Sequence, residues 1–99
     1  MLHIINKSPF EKDSMKSCVM HAATGSSFLL IEDGVYVAMS DTAMSEYLNK
    51  AKKAGKVFAL KNDVETRGIQ EKIDNEVELV EYADFVNLVV ENERVQSWL

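Results

Sequence analysis

One side chain in the sequence is a strong nucleophile: Cys18, the sole cysteine among 99 residues. A thiolate there would attack a sulfane sulfur while a second thiolate leaves, as in disulfide exchange, and would need no cofactor. Two neighbours bear on it. His21 follows one helical turn later and, when protonated, would stabilise a thiolate; Lys16 would add positive charge. The opposing reading is packing. Met15, Cys18, Val19 and Ala22 fall at i, i+3, i+4 and i+7, a single helical face, and free cysteine is among the most buried residues. Cys18 lies about 100° round the helix from Val19. Such an edge position leaves a thiol at least partly accessible, and that is the expectation here. A single cysteine can hold sulfur but cannot resolve it internally, so the acceptor must belong to another chain.

Other chemistry is poorly served. His3 reads as a hydrogen-bonded core or strand-end histidine rather than a base. His3 and Cys18 lie on different elements and only Cys18 and His21 are neighbours, so no metal site is expected. The loop Asn6-Lys7-Ser8-Pro9-Phe10 has no glycine to cradle a flavin phosphate and no acidic pair to accept a phosphoryl group. Walker A and dinucleotide-binding patterns are absent. No cofactor is expected, and the chain reads as a non-catalytic or accessory subunit rather than a free-standing enzyme. Glu32-Asp33-Gly34 is chiefly a turn signal, although it ends a strand where open α/β sheets bind ligands.

The elements that position these residues alternate. The apolar run at residues 2–5 reads as a buried strand. Ser8 and Glu11 resemble a capping box with Pro9 at the first helical position, and Asp13 is a second candidate start. A helix across residues 15–22 follows, with Gly25 as its stop. Phe28-Leu29-Leu30-Ile31 is a second strand. Asp33-Gly34 then precedes Val35-Tyr36-Val37-Ala38, which is either the return strand of a hairpin or an extended loop. A helix capped by Asp41 or Thr42 carries the stripe Met44, Tyr47, Leu48 and Ala51, with Lys50, Lys52 and Lys53 in its last turn and Gly55 at its end. Residues 57–60 form a third strand. Asn62 and Glu65 resemble the cap of a short helix closed by Gly68. Val77 and Leu79 alternate with glutamates, a strand near a sheet edge. Tyr82, Phe85, Val86 and Val89 form the stripe of a last helix. Strand and helix alternate four times, which predicts a small flavodoxin-like α/β three-layer sandwich with a mainly parallel sheet, one domain over residues 1–99.

Composition narrows the function classes. The net charge is −5, and the longest basic cluster is Lys50, Lys52 and Lys53, so direct nucleic-acid binding is not expected. No internal disulfide is possible with one cysteine, and no segment approaches membrane-spanning length; the cytoplasm is the expected compartment. Trp98 and Leu99 at the chain end call for a docking surface, in the same chain or a partner, and a place at or near a contact surface of the assembly is the expectation.

In order, Leu2-His3, Lys7-Ser8-Pro9-Phe10, Glu32-Asp33-Gly34-Val35, Asn62-Asp63 with Arg67-Gly68, and Tyr82 with Asp84-Phe85-Val86 resemble the DsrH/TusB family across essentially the whole chain. The resemblance implies a subunit of a cytoplasmic sulfur relay. It implies two homologous partners, DsrE/TusD-like and DsrF/TusC-like, in a heterohexamer with two copies of each. Sulfur travels in such complexes as a cysteine persulfide to a DsrC/TusE-like carrier, and the main active cysteine belongs to the DsrE/TusD-like subunit. Cys18 and the ending Gln96-Ser97-Trp98-Leu99 incline the resemblance to the DsrH branch of intracellular sulfur oxidation. The alternative is the TusB branch, a structural subunit in 2-thiouridine formation at the transfer-RNA wobble position. On the DsrH branch, Cys18 is a candidate persulfide carrier, supported by His21 and Lys16.

Overall fold

The computed structural model describes residues 1–10, 12–43 and 45–98. Its elements run β1 (Leu2–Ile5), α1 (Ser14–His21), β2 (Ser26–Leu30), a 3₁₀ segment (Glu32–Ala38), α2 (Ser45–Ala54), β3 (Gly55–Leu60), α3 (Lys61–Thr66), β4 (Glu78–Val80), α4 (Tyr82–Glu91) and β5 (Val95–Trp98). The sheet has the order β4-β3-β2-β1-β5, and all four pairings are parallel. This is the predicted α/β class, with the expected parallel sheet now complete.

The strand order dictates the layers. From β1 to β4 each connection steps to the next strand in one direction. Right-handed crossovers therefore place α1, α2 and α3 on one face. The β4-to-β5 connection returns to the far edge, so α4 lies on the opposite face. Two apolar clusters match the two faces. The larger contains Ile5, Met15, Cys18, Phe28, Leu30, Leu48 and Val64. The smaller joins Leu2, Leu29, Phe58 and Val80 to Phe85, Leu88 and Val89 of α4. Residues one apart on a strand face opposite ways, which is why Leu29 and Leu30 belong to different clusters.

Several local expectations need correction. Helix α1 begins after Asp13, the second candidate start. Ser8 instead accepts a hydrogen bond from the Phe10 amide at 3.2 Å in a tight turn. Glu11, the other half of the expected capping box, lies outside the described residues, as does Met44 of the α2 stripe. Residues 35–38 form neither a hairpin strand nor an extended loop; they complete the 3₁₀ segment. Gly34 is required there, because a Cβ would stand 2.1 Å from the Ile5 carbonyl oxygen. Gly55 does more than end α2: it opens β3, where a Cβ would stand 1.6 Å from the Ser26 carbonyl oxygen. On α4, Tyr82 and Val86 point outward while Leu88 joins Phe85 and Val89 against the sheet. The fifth strand, β5, had no counterpart in the sequence pattern.

Candidate functional site

Cys18 lies on α1 with its side chain turned into the larger core and has no solvent exposure. The expected partial accessibility is therefore corrected. A position three residues from Met15 and one from Val19 falls inside the stripe, and Cys18 belongs to the buried cluster that also holds Ile5 and Phe28, with Trp98 packed against it. Burial pushes the thiol up to about 12, so it is neutral at physiological pH. The expected thiolate support is also absent. Lys16 is exposed, about 200° round the helix from Cys18. His21 is exposed too, and its Nδ1 lies 2.8 Å from the Ser17 carbonyl oxygen of its own turn. Its ring stacks on Trp98 at a centroid distance of 6.4 Å. No hydrogen bond joins either residue to the thiol among the described contacts.

What the fold does bring together beside α1 is an aromatic and imidazole group. His3 on β1 is buried and stacks on Phe28 of β2 at 5.4 Å. The Trp98 indole Nε1–H donates to His3 Nδ1 at 3.1 Å. An indole nitrogen only donates, so His3 Nδ1 must be an acceptor and the ring neutral, with its proton on Nε2. Nε2 is buried without a partner. Burial, followed by the positive N-terminus, holds the His3 pKa below its ordinary value. The sequence reading of His3 as a hydrogen-bonded strand histidine thus fits on one nitrogen. Trp98 docks inside its own chain, half-buried against the larger core. Leu99 lies outside the described residues.

A second group sits at the carboxyl ends of β2 and β3. Arg67 brings two nitrogens to Asp33 Oδ1, at 2.9 and 3.0 Å, and donates to the Asp63 carbonyl oxygen at 3.2 Å. Asp63 Oδ2 in turn accepts from the Glu32 amide at 2.7 Å. Glu32 is held with φ of 50°, a left-handed conformation that costs a non-glycine residue about 1–2 kcal/mol. This network locks the 3₁₀ segment to α3. It explains why Glu32-Asp33-Gly34, Asp63 and Arg67 occur together, and it presents no free nucleophile. Among the described residues no three His, Cys, Asp or Glu side chains converge as a metal site. No helix among them is long and apolar enough to cross a membrane.

The sequence matches the family profile described as DsrH like protein over residues 7–95. The chain belongs to the DsrH/TusB family. It is 36% identical to Protein TusB of Enterobacter sp. (strain 638), over 99% of this chain and all of the relative. It is 34% identical to Protein TusB of Escherichia coli K12 over the same shares. The fold resembles the crystal structure of the ychN protein from E. coli, with a TM-score of 0.76 at 13% identity and 97% of each chain covered. It also resembles the solution structure of Tm0979 from Thermotoga maritima, with a TM-score of 0.65 at 22% identity over 95% of this chain and 97% of that one. As a DsrH/TusB protein the chain is a sulfur relay subunit that acts in a complex with partner subunits.

In this DsrH/TusB chain the pairing of His3 with Trp98 and the Arg67 network escaped the sequence reading. Both join residues far apart in sequence. A visible hint was the placement of a buried-type histidine and a tryptophan at opposite ends of a chain whose strands are all parallel.

Proposed function

We propose that this chain is a TusB-like structural subunit of a cytoplasmic sulfur relay serving 2-thiouridine formation at the transfer-RNA wobble position. Its partners are a TusD-like and a TusC-like subunit, two copies of each chain in the assembly, and the sulfur passes to a TusE-like carrier. The chain acts as one domain over residues 1–99, carries no cofactor and touches no nucleic acid itself. The observation that carries the reading is the neutral, fully enclosed Cys18: a thiol without exposure and without a thiolate-stabilising neighbour is suited to packing, not to accepting sulfur. The name TusB on full-length relatives supports the same branch.

The competing reading is a DsrH-like subunit of intracellular sulfur oxidation in which Cys18 carries a persulfide beside His21 and Lys16 and hands it to a DsrC-like carrier. It is favoured by the presence of a cysteine on the first helix, and it requires α1 to lift from the sheet in the complex.

The test is complementation of a bacterium lacking TusB, with this chain supplied together with its own TusD-like and TusC-like partners. Transfer-RNA 2-thiouridine is read by nucleoside mass spectrometry. Restoration by both the wild-type chain and Cys18→Ala is expected. A complex that forms but restores no 2-thiouridine, while its subunit gains about 32 Da on Cys18 from a persulfide donor, would replace the proposal with the sulfur-oxidation reading.

A further inference from the structure

We infer that the open cavity between α4 and the β3–β4 end of the sheet receives an arginine side chain from a partner subunit. The inference rests on the proposed relay assembly and goes further by placing one of its contacts.

The cavity follows from the way α4 meets the sheet. Phe85, Leu88 and Val89 pack against Leu2, Leu29, Phe58 and Val80. Asp84, Asn87, Leu88 and Glu91 recur at i, i+3, i+4 and i+7, so they form one flank of the helix, about 10 Å long. β4 is the edge strand on this side, and Glu78, in register with Phe58, faces α4 with it. Between the flank and the edge lies a cavity of about 250 Å³ floored by Phe58 and Val80. Small-molecule sites run to about 300–1,000 Å³, so the space suits a side chain better than a whole ligand.

The charge around it is of one sign. Glu78, Asp84 and Glu91 line the cavity, and among the described residues no Lys, Arg or His does. Asp84 spends one oxygen on the Glu81 amide at 3.0 Å. Glu78 and Glu91 make no ion pair among the described residues. Lysines line the adjoining cavity, which shares Phe58 and Glu78. There Lys52 pairs with Asp74 at 3.0 Å and Glu76 at 3.7 Å, and Lys56 forms no ion pair with Glu78. Glu91 also breaks a local rule. It is the last residue of α4, whose final turn holds no basic residue. A helix C-terminus carries about half a negative charge and favours a cation. An acid in that place works against the helix until a cation arrives, and such local conflicts mark functional positions.

Shape selects the cation. An arginine stem covers apolar surface while its head reaches polar groups, which matches a floor of Phe58 and Val80 beneath an acidic rim. The planar guanidinium rests against an aromatic ring and offers donors to carboxylates on more than one side; here they come from β4 and α4. A lysine ammonium is a strongly hydrated point charge without that fork. A second copy of this chain is disfavoured by the net charge of −5 on each, and of its two arginines Arg67 is held by Asp33 at 2.9 Å, which leaves Arg94.

The experiment uses the complex purified through a tag on the TusD-like subunit. Glu78→Gln/Glu91→Gln keeps side-chain size and removes two charges. The isolated variant should keep the wild-type thermal midpoint, while its recovery in the complex should fall at least about tenfold. Glu65→Gln/Glu71→Gln removes the same charge from exposed positions outside the cavity and should recover as wild type. Benzoylphenylalanine at Ala83, an exposed position one turn before Asn87, should cross-link on irradiation to a TusD-like or TusC-like peptide that contains an arginine, and alanine at that arginine should repeat the loss. Unchanged recovery of the cavity variant, equal loss in the two double variants, or a cross-link to a peptide without arginine overturns this contact and leaves the relay reading intact. A cross-link to the peptide holding Arg94 overturns it in favour of a second copy. Spermidine that raises the thermal midpoint of the isolated wild-type chain but not of Glu78→Gln/Glu91→Gln, with recovery of both unchanged, overturns it in favour of a free polyamine. If the wild-type chain recovers no relay subunit at all, the assembly itself is wrong and this contact falls with it.

Discussion

Replacing Cys18 by alanine removes one sulfur atom from a site with no solvent exposure between α1 and the sheet. Losing a group of about methylene size from a packed core costs about 1 kcal/mol. In a chain of 99 residues that lowers the thermal midpoint by about 4–8 °C. Serine should cost about 1–3 kcal/mol, because its hydroxyl would be buried without a designed partner. The thiol adds a signature in pH. Its pKa moves from 9.0 to about 12 on folding. Between those values the unfolded chain has released a proton that the folded chain retains, so stability falls as pH rises, by up to about 1.4 kcal/mol per unit. Below 9.0 the contribution is complete. The stability difference between wild type and Cys18→Ala should therefore hold steady from neutral pH to about 9, shrink above it and reverse before about pH 10.5. Urea unfolding of both proteins from pH 7 to about 10.5 measures this, and taking the difference cancels the tyrosines and lysines that titrate in the same range. The same rise from 9.0 to about 12 lowers the native thiolate fraction about a thousandfold. An aromatic disulfide reagent should then react only as fast as the chain opens. Parallel pH curves for the two proteins, with a native thiol that reacts as quickly as free cysteine, would refute this account of the site.

Three further outcomes follow from the packing. His3 has a pKa below its ordinary 6.5 and accepts the Trp98 hydrogen bond only when neutral; its contribution is present above that value and lost as pH falls, so acid titration should change Trp98 fluorescence, with a flatter response in His3→Gln. Gly34→Ala should cost more than about 3 kcal/mol, read as loss of soluble protein or of the urea midpoint, because the added Cβ meets backbone at Ile5 that has no room to move. Lys52 and Asp74 pair at 3.0 Å in a largely enclosed position, and the Glu76 amide and then Lys52 hold the Asp74 carboxyl below its usual range; Asp74→Asn should lose about 1 kcal/mol at neutral pH, a difference that closes as wild type is acidified below about pH 4.

The strands that the sequence displayed most clearly are those whose side chains are enclosed. Residues 28–31 and 57–60 are continuous apolar runs because β2 and β3 are central and covered on both faces. On the edge strand β4 the pattern is weaker: Glu78 and Leu79 are both exposed and Val80 is buried. β5 stayed hidden for the opposite reason: Val95, Gln96 and Ser97 are all exposed, so the strand exists through its backbone pairing with β1 and one anchoring indole. Cys18 shows the limit at the level of the site. Helical spacing placed it on the apolar face but left it at the edge of the stripe, and whether an edge position is open depends on what lies across from it. Phe28 and Trp98, which share the core cluster with Cys18, arrive from β2 and β5. The outward stripe of α4 was legible as apolar, yet periodicity alone did not show that only Phe85, Leu88 and Val89 meet the sheet.

The pairing of β1 with β5 has a kinetic consequence. Leu2 finds Ser27 across 25 residues of chain, but it finds Val95 across 93. Closing the longer loop costs only about 1 kcal/mol more in chain entropy, so the final sheet is not weakened much. The order of events is another matter, since distant pairings form late and parallel ones slowly. A nascent sheet of β1 to β4 can assemble through neighbouring crossovers while β1 still presents a bare edge. In that interval the chain displays an unpaired apolar strand, the kind of transient surface through which folding proteins aggregate. The docking of Trp98 onto His3 closes it, so a mutation that loosens that contact should reduce the yield of folded protein more than its effect on final stability would suggest.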